Sequence, residues 1–564
     1  MNDPTTARRL ADLADEFWMT SLEISPLTAT QLGEPGHDAD LPPLDLEARG
    51  ALSERLASQR VAIDALPDAE LADADAVTRL ALLAAIDAQL TFLAADLPSF
   101  TVDPMGGPQI ELLNVPDYQA AETPDQARDM VDRWRRMGPW IDALAQRQRD
   151  SIANGLPPVG ILTERVIDEL DTLLARPDPD WPLLAPVTVP HPDWSEGDRQ
   201  RFVGDLASAV RDGVRPAFER YRSFLREEAL PASRDDNAVG LGVLPGGDEW
   251  YRLLARAHTT TELEPAELHA IGLAEIERVD AELDELGRRL LDADGLADTL
   301  ARLRSDPSLY FTTGDQVEDV ARRSLAHAQE AIPDWFGRLP STPCEVVPIP
   351  AHEAEHSTIA YYLDPAADGS RPGRYYVNRS HPETRPRYEA EALAFHESVP
   401  GHHLQVALAQ ELTALPKFRR FGQPTAYVEG WGLYAERLAD EMGLYSGDLD
   451  RIGIASFDGW RASRLVVDTG MHAMGWSRGQ AIAFMTEHTA LAPNNIANEV
   501  DRYIAWPGQA LAYKIGQMEI LRLRDEARRR LGARFDIRRF HDAVLEPGAL
   551  PLDILRVAVE RTLP

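Results

Sequence analysis

Residues Glu391–Gln405 read EALAFHESVPGHHLQ and place His396, Glu397, His402 and His403 within eight positions. Leu393, Ala394 and Phe395 lead into them as part of an amphipathic helix, so the stretch predicts a helix-borne metal site with an adjoining general base. The spacing departs from HExxH, whose histidines at i and i+4 share one helix face. Here two extra residues precede Gly401-His402. On an uninterrupted helix His402 would point about 240° away from His396. Pro400 and Gly401 are residue types that bend or interrupt helices, and a two-residue bulge there returns His402 to the metal side. His403 keeps the facing but lies about 10.5 Å along the axis. His402 is therefore the expected ligand, with His403 supporting it or contacting substrate.

A literal HExxH occurs nearby at His352-Glu353-Ala354-Glu355-His356. Pro348 and Pro350 precede it, a strand-like run follows, and the charged Glu355 sits inside the motif. That context predicts a solvated loop rather than a zinc-binding helix.

The third ligand is expected from Ala426–Glu436, AYVEGWGLYAE. Glu429 and Glu436 are seven apart and share a helix face. Glu429, flanked by Val428 and Trp431, reads as buried, and a buried carboxylate needs a metal or cation. Glu436 reads as a surface or supporting acid. Further on, Glu499–Gly516 (EVDRYIAWPGQALAYKIG) forms a helix–Pro-Gly–helix corner carrying Arg502, Tyr503, Tyr513 and Lys514. Tyr513 is the candidate donor to a developing oxyanion. Arg502, with Tyr503 beside it, suits a substrate carboxylate because its guanidinium is bidentate.

Helical periodicity dominates elsewhere, over about 5–20, 51–65, 74–95, 159–176, 196–229 and 251–291, and again from 386 to 531. Thr123-Pro124-Asp125-Gln126 predicts a capped helix start. Three β-branched or aromatic runs interrupt this pattern: Cys344–Pro350, Thr358–Leu363 and Arg374–Asn378. They predict a small antiparallel sheet just before the His396 helix. The Pro-, Asn- and Gly-containing break at Pro231–Gly247 divides the chain into an N-terminal helical lobe (1–235) and a catalytic helical lobe (236–564), or marks where two halves of one core meet.

The chain has 564 residues, with 57 basic and 92 acidic side chains and a net charge of −35. Such a surface argues against nucleic acid or an anionic membrane as partner. Cys344 is the only cysteine, which fits a reducing compartment. The N-terminus lacks an apolar signal core, and the most apolar segment, Leu80–Leu97, contains Asp87 and Asp96. A cytoplasmic protein, monomeric or homodimeric, is the expectation.

HESVPGHHLQ, VEGWGLYAE and PGQALAYKIG together closely resemble the bacterial family catalogued as domain of unknown function 885. Weaker matches at Ala29–Gly33, Asp368–Asn378 and Trp250–Thr260 extend the likeness over nearly the whole chain. That family in turn looks like a variant of the helical zinc peptidases grouped with angiotensin-converting enzyme, thimet oligopeptidase and the Taq-type carboxypeptidases. The resemblance implies a mainly α, two-lobed metallopeptidase fold holding one Zn2+ on His396, His402 and Glu429, with Glu397 as base and Tyr513 as transition-state donor. It also implies that Arg374–Asn378, carrying Tyr376, is an edge strand along which a peptide substrate pairs. The expected function is hydrolysis of short peptides. The alternatives are a helical binding protein with structural metal or none, and a zinc amidase or esterase on the same site.

Overall fold

The periodic segments become helices in the structure, a computed structural model that describes residues 4–350, 354, 358–366, 369 and 371–564. The protein is mainly helical, with one three-stranded sheet among the described residues. Thr123 caps the long Pro124–Ala153 helix through a full capping box with Gln126, and Pro139 is accommodated inside it. Glu264 and Glu267 form the same reciprocal arrangement at the start of Pro265–Leu291.

Apolar side chains gather into two principal cores. One runs from Val102 to Ala229 and belongs to the helices around Pro124–Ala153. The larger one joins residues Leu10–Phe100 to residues Leu241–Leu563. The cores thus do not follow a single cut at residue 235, because the first hundred residues pack on the C-terminal half. Asp73–Ala95 illustrates this. It lies in a stretch, Asp73–Ser99, that is long and apolar enough to span a membrane by length and composition. Here Leu82 and Ile86 are fully buried in the larger core, and Arg79 donates to Ile63 O, Asp64 O and Asp68 Oδ1.

The sheet consists of β1 (Cys344–Pro348), β2 (Ala360–Leu363) and β3 (Gly373–Val377), in the order β1-β3-β2. Its strands fall where expected, but their pairing corrects the sequence reading. β3 runs parallel to β1 and antiparallel to β2, so the sheet is mixed. Both sides of β3 are already hydrogen-bonded, so Arg374–Asn378 is no edge strand and offers a peptide no free ladder. Tyr375 and Val377 are buried on one face, while Tyr376 projects to the other and stacks on Tyr361 at 4.8 Å between ring centroids. His352, Glu353, Glu355 and His356 lie outside the described residues.

The histidine segment, where a bulge is expected at Pro400-Gly401, forms two helices, Arg387–Glu397 and His402–Glu411, with the break at that place. The first packs between the helices Thr425–Glu441 and Asp448–Ala473, which form the frame of the site.

Candidate metal centre

The break between the two histidine helices has a local cause. Ser398 ends the first helix and bonds back to Ala394 O through its side chain. The chain then folds over the helix end so closely that a Cβ on Gly401 would lie 1.9 Å from His396 O, which only glycine tolerates. Trp431 Nε1 holds this loop by donating to Pro400 O. His402 therefore starts a new helix beside His396 rather than half a turn out of phase with it. Their rings sit edge to face, 4.6 Å apart and 83° from coplanar.

Glu429 completes the group. Its Oε2 lies 3.6 Å from His396 Nε2 and 3.6 Å from His402 Nε2. A tetrahedral ion with ligand bonds of about 2.0–2.1 Å has ligand–ligand edges of roughly 3.3–3.4 Å, so the three atoms fit a zinc-sized ion after small adjustments. This is the group of convergent potential ligands found among the described residues, and three ligands leave a coordination position open.

The sequence Glu-Gly-Trp-Gly explains how one helix serves this cluster. His396 lies flat against the Thr425–Glu441 helix at Gly432, where a Cβ would come 2.6 Å from the ring. Its Nδ1 then meets Glu436 Oε1 at 2.8 Å, one face and seven residues from Glu429. Glu436 is only 1 % exposed, so of the two roles expected for it the supporting one is realised. The carboxylate–imidazole pair fixes which nitrogen faces His402 and Glu429 and increases its basicity. Gly430 lets the same helix touch Gly516 of the Ala512–Leu531 helix, whose first turn carries Tyr513.

Electrostatics match this geometry. Burial opposes charge on His396, but the hydrogen bonds it donates to the carboxylates of Glu429 and Glu436 prevail and raise its pKa to about 9. For Glu429 burial also opposes charge, and the two histidines hold its carboxyl well below the usual range. A buried cluster that prefers a bound proton to neutrality is one in which a divalent cation can take the proton's place. Glu436→Gln is accordingly expected to weaken zinc binding by about 10–100-fold without unfolding the protein, measured by competition with a chromophoric chelator.

Glu397, the last residue of its helix, is half-buried beside the ligands, and no hydrogen bond or ion pair to it is found among the described residues. His403 is elsewhere. Its Nε2 lies 3.1 Å from Thr342 O and must carry the hydrogen, so Nδ1 accepts from Tyr362 Oη at 2.9 Å. Burial pushes it down to about 4. With both nitrogens used, His403 braces the sheet and has none left for metal or substrate.

Arg502, Tyr503 and Tyr513 come together at the Pro-Gly corner. Arg502 Nη2 donates to Tyr513 Oη (3.1 Å) and to Gln509 Oε1 (3.1 Å). Tyr503 Oη donates to Glu499 Oε2 at 2.6 Å and accepts from Arg464 Nε at 3.0 Å. Asp468 secures the corner by accepting from Tyr251 Oη and Gly508 N. Lys514 turns inward to Asp458 and Glu275 and is structural. Sequence reasoning missed Arg461 and Arg464, two buried arginines of the Asp448–Ala473 helix. Their signal was a pair of guanidinium groups three residues apart in the mostly apolar stretch Trp460–Val467. Tyr376 belongs to neither group.

Comparison with known proteins bears on the whole chain. The profile of the family described as "Bacterial protein of unknown function (DUF885)" matches residues 26–559. Two solved structures, each described as that of a "putative lipoprotein", share the fold. One, from Colwellia psychrerythraea, is 27% identical, with a TM-score of 0.91 over 99% of both chains. The other, from Shewanella oneidensis and described as of unknown function, is 17% identical, with a TM-score of 0.76 over 97% of this chain and 99% of that one. No curated protein matches.

Proposed function

The chain belongs to the DUF885 family, and we propose that it is a zinc-dependent peptidase that hydrolyses short peptides. The observation that carries this reading is the convergence of His396, His402 and Glu429, with Glu429 3.6 Å from each histidine, next to Glu397 in the chain. The accompanying fold reading is a two-lobed helical metallopeptidase, supported by the two principal cores.

Zinc, when bound by these three residues, supplies Lewis acidity toward a scissile carbonyl and an attacking water. Glu397, to which no described group hydrogen-bonds, takes the proton of that water on its carboxylate and returns it to the leaving nitrogen. Tyr513 Oη accepts a hydrogen bond from Arg502, so its own hydrogen remains to donate to the oxygen that becomes negative. Peptide is the proposed partner, and the acidic surface speaks against nucleic acid. The lipoprotein description of the 27%-identical structure favours a secreted or membrane-anchored location over the cytoplasm expected from the cysteine count.

The test is metal analysis joined to digestion of a short-peptide library. About one zinc per chain is expected, with cleavage that a chelator abolishes and added zinc restores. Metal-free protein that cuts nothing on zinc addition would point instead to the binding-protein alternative. Turnover of amides or esters but not peptides would move the reading to another zinc hydrolase. Iron content with oxygen-dependent turnover would overturn it, since two histidines and a carboxylate also serve non-haem iron.

A further inference from the structure

Arg461 poses an energetic problem. It is 5 % exposed, and its Nε and Nη1 are buried without a hydrogen-bond partner among the described residues. Its guanidinium is sandwiched against Phe457 (4.3 Å) and Trp460 (4.1 Å), which orients the plane but satisfies none of its N–H groups. A buried charge without partners costs several kcal/mol, and native proteins seldom keep one unless something outside the chain completes it.

The surroundings say what is missing. Arg464 Nη1 and Arg502 Nε are likewise buried and unpartnered. These three guanidinium groups share the corner with Glu499, which already serves Arg464, Trp460 and Tyr503 and lies 3.6 Å from Arg502 Nη1. Arg461 lies within electrostatic reach of Glu436 and Glu429, and also of Tyr513, the proposed oxyanion donor. Both of those glutamates are committed to histidines. On a chain of net charge −35, this is a concentrated excess of buried positive charge with unused donors. Such a group of donors suits a small anion with planar, bidentate acceptors.

We propose that Arg461, with Arg464, forms a carboxylate subsite that binds the free C-terminal carboxylate of the substrate. The sequence reading assigned that task to Arg502, but Arg502 spends its Nη2 on Tyr513 and Gln509, whereas Arg461 spends nothing. The subsite rests on the peptidase reading and sharpens it: substrates are dipeptides or peptide C-termini, cut within a residue or two of the terminal carboxylate.

Two measurements test this. A pooled dipeptide library and the same pool as C-terminal amides are compared, first as ligands by thermal shift on the zinc-loaded Glu397→Gln protein, then as substrates of the active enzyme. The free-acid pool should stabilise the protein and the amide pool should not. For the active enzyme, kcat/KM on the acids should exceed that on the amides by about 100-fold. Arg461→Met should remove that preference by lowering turnover of the acids alone, and Arg461→Lys should restore part of it. Ligand-free Arg461→Met should melt at or above the parent temperature, because an uncompensated buried charge has been removed. A merely structural Arg461 would lower the melting temperature and reduce both pools equally, and that result overturns the subsite. So does equal binding of acids and amides. Acid-selective stabilisation without any hydrolysis would retain the subsite and sink the peptidase.

Discussion

Glu397→Gln is expected to lower peptide hydrolysis by about 10³-fold while zinc stays bound at full stoichiometry. The substitution keeps the size of the side chain and removes only its ability to hold a proton. Glu397 is not among the three convergent ligand atoms, and no hydrogen bond to it is found among the described residues, so neither metal affinity nor folding should change. A loss of about 10³-fold corresponds to about 4 kcal/mol of transition-state stabilisation, within what a positioned general base supplies. Hydrolysis of the peptide pool and zinc content by mass spectrometry are measured on the same preparation. Activity within tenfold of the parent, zinc intact, would remove Glu397 from the mechanism. Lost activity together with lost zinc would make it a ligand instead.

The proposed roles differ in how far the sequence could reveal them. Helix starts such as Thr123 and Glu264 are local events, written in a cap, a proline and a returning Gln or Glu, and they fall where the pattern predicts. Strand positions were similarly legible from β-branched and aromatic runs. Their pairing was not, because whether β1 joins β3 parallel depends on a crossover that no period-two pattern records. That one unreadable fact overturned the edge-strand role of Arg374–Asn378 and left Tyr376 without a task. The glutamate helix lay between these extremes. Seven-residue spacing announced that Glu429 and Glu436 share a face, yet Gly432 discloses its reason only when the His396 ring is seen lying against it. Arg461 was the least legible, since a charge in an apolar helix looks ordinary until its lack of partners is known.

The choice between the two adjacent histidines makes the other large prediction. His402→Ala should reduce zinc affinity by more than the roughly 100-fold that loss of an outer hydrogen-bond partner costs, because a direct ligand disappears. Its fold should survive, since His402 forms no described hydrogen bond that holds the fold and its Nδ1 has no partner. His403→Ala should do the reverse. Zinc affinity should stay within a few-fold of the parent, because the His403 ring faces Thr342 O and Tyr362 Oη. Stability should fall by about 2–4 kcal/mol, as a part-buried carbonyl and a part-buried hydroxyl lose their shared partner and a cavity opens beside Gly373. Chelator competition and urea unfolding on both variants separate the two effects. Metal loss in the His403 variant with retention in the His402 variant would mean that the loop at Ser398–Gly401 sets the opposite phase. The Gly401 contact argues against that phase, because the chain has no room over His396 O to shift its register by one residue.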